Sequence, residues 1–213
     1  RRYVVVRTDK GRASFMLREF EQGRLRQGWG WLPSQDLHLL RAKINAGQKL
    51  TAEESAAWRN RRLLDTEPDG LKPGDVVVVP NLPEQGRWMI ARVAGPYTYT
   101  PPDSEAKVGV DYAHVVEVAP VRAPGGKLAV IDPDNENVDA RLRSTMRNLS
   151  RMWSIDALGA AVEKIITAAE RGADTTGIES EKAKQAGVFD AVRAAAWKAV
   201  RERYHGAQFE QSC

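Results

Sequence analysis

Four consecutive valines, Val76 to Val79, stand between the turn Lys72-Pro73-Gly74-Asp75 and Pro80. A β-branched run that is opened by a turn and stopped by a residue unable to donate to a ladder predicts a short buried strand. The neighbouring sequence supplies partners for it. Tyr3 to Arg7 is a β-branched run ending in charge, Arg87 to Val93 alternates polar and apolar residues, and Tyr112 to Val121 and Lys127 to Ile131 read as further strands. Residues 95–99 read as a turn, and 101–110 as a polar loop.

Helical signals lie on either side of this sheet. Ser34 is expected to cap a helix carrying Leu37, Leu40 and Ile44 that ends near Gly47. Thr51-Ala52-Glu53-Glu54 fits a capping box, opening a second helix through Trp58 to Leu64. Residues 12–31, where Gly23, Gly28 and Gly30 surround Trp29 and Trp31, read as an irregular loop. From Asp139 onward the pattern is helical. Leu142, Met146, Leu149 and Trp153 share one stripe, and Ser154 caps a run with Leu158, Val162, Ile165 and Ile166 that ends at Gly172. After a polar linker, Val188, Val192, Ala195, Ala196 and Val200 form a last stripe, stopped at Gly206. The fold class expected is α+β: a small mixed β-barrel over residues 1–131 with inserted helices, followed by a helical linker or assembly region over 139–204.

Net charge is only +4, but residues 1–62 hold 14 Lys and Arg against 6 Asp and Glu. Eleven of those cations are arginine, which suits bidentate phosphate contact and stacking on bases. A positive field concentrated at one end suits an anionic polymer, and suits a solvated basic face equally well. Several classes fall away. There is no P-loop, GxGxxG, GxSxG or HExxH motif, one cysteine at position 213, and three scattered histidines. No enzyme activity, metal or other cofactor is therefore expected of these residues. Asp132 to Asn137 lacks the glycine and terminal glutamate of an EF-hand loop and reads as a polar turn. No apolar run nears the roughly 18 residues of a membrane span, so a cytoplasmic protein with no membrane partner is expected.

The aromatic residues carry the functional suggestion. Trp29 and Trp31 follow Arg24 and Arg26, Trp88 follows Arg87, and Tyr97, Tyr99 and Tyr112 lie in or beside loops. Rings interleaved with arginine can stack nucleic-acid bases. Trp58, Trp153 and Trp197, at helical positions, are expected in the core.

Leu71 to Tyr99, with its Gly74-Asp75 turn, valine strand, Trp88 and Ala91-Arg92-Val93 ending, resembles the central strand pair of the PUA-like superfamily, especially its EVE and YTH branches. Gln27-Gly28-Trp29-Gly30-Trp31 is similar to their loop bearing a cage tryptophan, and Asp111 to Val118 to a later barrel strand. The resemblance implies a pocket that holds a modified base flipped out of the nucleic acid. It would put Trp29 or Trp31 on one wall and Trp88 on another, Asn81 or Asp111 on the base edge, and Tyr97, Tyr99 and Tyr112 around them. Arg24, Arg26, Arg59, Arg61, Arg62, Arg87 and Arg92 would lie on the nucleic-acid backbone. The chain departs from YTH in its helical insert at 34–64 and from EVE in lacking a Tyr-Trp pair at the first strand, so the base remains open between modified cytosine and adenine.

Tyr204 to Glu210 is similar to the opening of an Mrr-like restriction-endonuclease domain, so residues 205–213 are expected to begin a nuclease that continues further along the chain. Together the two resemblances imply a DNA-binding sensor, acting on DNA with modified bases, for a modification-dependent restriction endonuclease of the kind used in phage defence. An RNA-binding reader and a helical assembly module, with the 188–200 stripe joining a homo-oligomer, are the alternatives.

Overall fold

Alternate valines of the central strand face opposite ways, and both faces are covered. The computed structural model describes residues 1–102 and 111–176. Among these the strands are β1 (Tyr3–Val6), β2 (Arg24–Gln27), β3 (Val76–Pro80), β4 (Trp88–Tyr99), β5 (His114–Pro120) and β6 (Met152–Ser154). The helices are α1 (Ala13–Glu21), α2 (Leu37–Asn45), α3 (Ala52–Trp58), α4 (Ala140–Thr145) and α5 (Gly159–Glu170). The strands form one sheet in the order β2-β5-β4-β3-β1-β6. Among these strands β1 and β3 run parallel and the other neighbours antiparallel.

Val77 and Val79 pack with Phe15 and Phe20 of α1, Leu37 and Leu40 of α2 and Ala57 of α3. Val76 and Val78 pack on the other face with Trp88, Leu142 of α4 and Val162, Ile165 and Ile166 of α5. Two separate cores therefore flank the sheet. The chain is mixed α/β, as expected, but the expected barrel is corrected: β2 and β6 occupy opposite edges and no pairing closes them among the described residues. A barrel buries one face of its strands in its interior, whereas here the valine strand needs a helical layer on each side.

Local chemistry explains most elements. The Asp75 carboxylate accepts the backbone N–H of Lys72 at 3.0 Å and of Arg2 at 2.7 Å, so the turn before β3 also anchors the start of β1. Thr51 and Glu54 form the expected capping box of α3. The helix expected from Ser34 begins later: Pro33 to Gln35 make a single 3-10 turn, and Asp36 caps α2 by accepting from the His38 N–H. The expected loop at 12–31 holds α1 and β2, with Gly23 at φ 80° turning between them. Its glycines punctuate regular elements instead of dissolving them.

β4 continues through residues 95–99, where a turn was expected, by means of a register shift between Val93 and Tyr97. Lys127 to Ile131 contributes only isolated bridges. The helix expected through Trp153 stops at Thr145; Leu149 is exposed, and Trp153 sits on the edge strand β6 with its ring in the second core. Because β6 pairs with β1 and α5 covers the sheet, residues 1–175 form one compact unit, and the boundary expected between 131 and 139 falls inside it. The 188–200 stripe, Trp197 and the Mrr-like segment lie outside the described residues. No helix among the described residues is long and apolar enough to cross a membrane.

Candidate functional site

Where β1 ends, the chain runs through Arg7, Thr8 and Asp9, and three other segments converge on it. They are Gln27-Gly28-Trp29 at the end of β2, Arg59 to Arg62 after α3, and Ser150-Arg151 before β6. Two adjoining cavities of about 380 and 350 Å³ result, and Gln27 and Arg151 line both. Arg59, Arg61 and Arg62 border the first; Thr8, Asp9, Trp29, Asp111 and Tyr112 border the second. The Arg7 N–H donates to the Arg151 carbonyl at 2.7 Å, so strand pairing itself sets Arg151 at the junction.

Arg151 lies with its guanidinium carbon 5.1 Å from the centre of the Trp29 ring, within cation–π range. Burial and the charge of Arg59 both hold its pKa below the usual arginine value. Arg7 donates to the carbonyls of Met146 and Asn148, and its Nε is buried without a partner. Among the described residues Arg7, Arg59, Arg61 and Arg151 have no carboxylate partner, while Arg62 pairs with Asp69. The first cavity thus concentrates positive charge, whereas the carboxylates of Asp9 and Asp111 border the second.

Trp29 has φ 71°, a left-handed conformation rare for a bulky side chain, so its surroundings must over-determine it. His114, fully buried on β5, donates from Nε2 to the Trp29 carbonyl at 3.1 Å and accepts at Nδ1 from the Tyr97 hydroxyl at 2.8 Å. The Tyr97 oxygen accepts the Leu37 N–H at 3.3 Å, tying the loop to the start of α2. Gly30 is required beside it: a Cβ there would meet the His114 ring at 3.0 Å. The Asn60 amide donates to the Gly28 carbonyl at 2.7 Å. Burial lowers the His114 pKa to about 4 and raises that of Tyr97.

The second cavity offers a ring wall and several polar edges. The Tyr112 hydroxyl donates to Asp9 at 2.7 Å, and burial and that bond raise its pKa. Thr8 is 7% exposed, and its hydroxyl has no partner. The Gln27 amide nitrogen donates to the Arg7 carbonyl at 3.1 Å.

The expected pocket is thus assembled in part. Trp29, Asp111 and Tyr112 line one cavity, and Arg59, Arg61 and Arg62 line its neighbour. Trp31 stands beside Trp29, ring centres 6.3 Å apart, but it is 40% exposed and does not line the cavity. Trp88 is corrected: it is 3% exposed in the second core, where β4 alternation points it away from the Trp29 face. Asn81, at φ 62°, accepts from the Gly86 N–H in the β3–β4 turn and is absent from both cavities. Tyr97 is core, and Tyr99 donates to the Leu32 carbonyl at 2.6 Å, its pKa raised by burial to about 12.

Four of the seven arginines expected on the backbone are held by carboxylates and line neither cavity. Arg24 and Arg26 bind Glu19, and Arg26 is 3% exposed and also donates to the carbonyls of Thr100 and Tyr112. Burial alone would raise the Glu19 carboxyl, but hydrogen bonds from both arginines hold it below its ordinary value. Arg87 is buried against Asp132, and Arg92 pairs with Glu163 of α5. Conversely, Arg7, Thr8, Asp9, Gln27, His114 and Arg151 belong to the site although sequence reasoning does not single them out. His114, a histidine opening a valine-rich strand, is the one visible signal; Arg151 enters only through the β1–β6 pairing.

No protein-family model matches the chain, and no curated protein matches it.

Proposed function

We propose that the chain is a DNA-binding sensor that takes a modified base, flipped from the helix, into the cavity beside Trp29, and lays the phosphate backbone along the arginine cleft. The observation that carries this reading is Arg151 on the Trp29 ring at the junction of the two cavities, among cations that lack carboxylate partners. A base stacked on an indole gains about 1–3 kcal/mol, which offsets an unstacking cost of a few kcal/mol once edge hydrogen bonds are added. Asp9, Asp111 and Gln27 present acceptors for such an edge, and Thr8 an unused hydroxyl. Arg59, Arg61 and Arg7 neutralise phosphates without reading sequence.

The resemblance of residues 71–99 to PUA-like readers supports the same reading, and the Mrr-like similarity at 204–210 supports a role as the sensor of a modification-dependent restriction endonuclease. The cavity takes its walls from the Trp29 loop and the β1 end, without Trp88.

Fluorescence anisotropy on DNA duplexes carrying one methylated cytosine, hydroxymethylated cytosine or methylated adenine tests the proposal. At least one is expected to bind about tenfold or more tightly than the unmodified duplex, with affinity falling steeply as salt rises. Equal affinity for every duplex would overturn modified-base reading. Preferential binding of single-stranded RNA would assign the cleft to RNA.

A further inference from the structure

Trp31 and Leu32 are 40% and 43% exposed, an unusual display for two large apolar side chains side by side. Their backbone is nonetheless held firmly. The fully buried Gln35 side chain accepts the N–H groups of Trp31 at 2.9 Å and Leu32 at 2.8 Å, and the Leu32 carbonyl accepts the Tyr99 hydroxyl. Gly30 is bonded to the Asp111 carbonyl at 2.8 Å, and Pro33 stiffens the far side. Buried polar groups are thus used to present apolar atoms to the outside. The tip adjoins the cavity, with the Trp31 ring 6.3 Å from that of Trp29, and Trp29 in turn lies against Arg151 of the basic cleft.

We infer that Trp31 and Leu32 form a wedge that enters the base stack of duplex DNA and fills the gap left when a base is everted. This rests on the reading of the cleft as a nucleic-acid site and adds to it a duplex substrate. The occupant follows from charge and position. An apolar tip beside arginines that pair with no carboxylate among the described residues suits a polymer whose outside is anionic and whose interior is a stack of flat apolar faces. Everting a base opens a gap in that stack, and side chains inserted between base steps restore packing there. A rigid tip loses little conformational freedom on insertion.

The test uses a duplex containing one abasic site, which has the gap already open and no base to enter the cavity. Wild-type protein is expected to bind it about tenfold more tightly than the intact unmodified duplex. The Trp31→Ala/Leu32→Ala variant is expected to lose that preference, and Leu39→Ala, at an exposed apolar residue of α2 away from the cleft, to keep it. Leu32→Ser alone is expected to reduce it, which guards against a folding defect in the double variant, and circular dichroism checks each fold. Absence of the preference in wild type, or its survival in the double variant, would overturn the wedge. If Trp29→Ala instead leaves modified-duplex binding intact while the abasic preference stands, the base cavity fails and the wedge survives.

Discussion

His114 Nε2 lies 3.1 Å from the carbonyl oxygen of Trp29, and that one bond pins the residue whose left-handed backbone turns its ring toward Arg151. Burial holds the imidazole neutral, with Nε2–H donated to that carbonyl and Nδ1 left to accept from the Tyr97 hydroxyl. Its pKa is about 4 in the fold, against about 6.5 in an unfolded chain. The folded value is depressed, so this contribution is complete above about pH 6.5 and is lost as the pH falls toward 4. Urea denaturation of wild type is expected to show a loss of up to about 3 kcal/mol across that window. His114→Asn is expected to be less stable at pH 7 and to lack this part of the slope; parallel slopes would refute the neutral-imidazole role.

Arg26 is expected to matter for stability and not for contact with nucleic acid. Removing it leaves the Glu19 carboxylate short of a partner and two carbonyls without their donor. Arg26→Ala is expected to cost about 3–5 kcal/mol in denaturant titrations, the range for breaking a buried ion pair. A loss below about 1 kcal/mol would show that the pair is dispensable.

Arg59 and Arg61 are expected to behave in the opposite way. Each alanine variant should keep wild-type stability within about 0.5 kcal/mol, as surface changes do. Each should weaken binding to modified and unmodified duplexes alike, and reduce the slope of log affinity against log salt by about 0.9 for every phosphate no longer neutralised. Unchanged slopes would remove them from the interface.

Trp88→Ala is expected to destabilise the protein by about 3–5 kcal/mol through the cavity left in the second core. The affinity of the folded fraction for modified duplex should not change. A selective loss of modified-base binding would return Trp88 to the pocket.

Signals confined to a few neighbouring residues were legible in the sequence. The valine run, the Thr51 capping box and the alternation of Arg87 to Val93 are each carried by residues close together in sequence, so β3, β4 and α3 lie close to where the pattern puts them. β6 has no such local signature. Met152 to Ser154 reads as the end of a helix and becomes a strand because β1 offers an open edge. Arg151 becomes visible only with that pairing. The arginines divide for a related reason: sequence spacing cannot tell Arg26, enclosed by Glu19 and two carbonyls, from Arg61, which has no such partner. Trp88 departs from expectation because its adjacency to Arg87 says nothing about which face of the sheet its ring takes.

The most direct test is the affinity of Trp29→Ala for a modified duplex and for its unmodified counterpart, measured side by side by anisotropy. Loss of the indole is expected to lower modified-duplex affinity by about tenfold or more while unmodified binding, carried by the arginine cleft, stays near wild type. Equal losses on both duplexes, or no loss on either, would contradict a base held against Trp29.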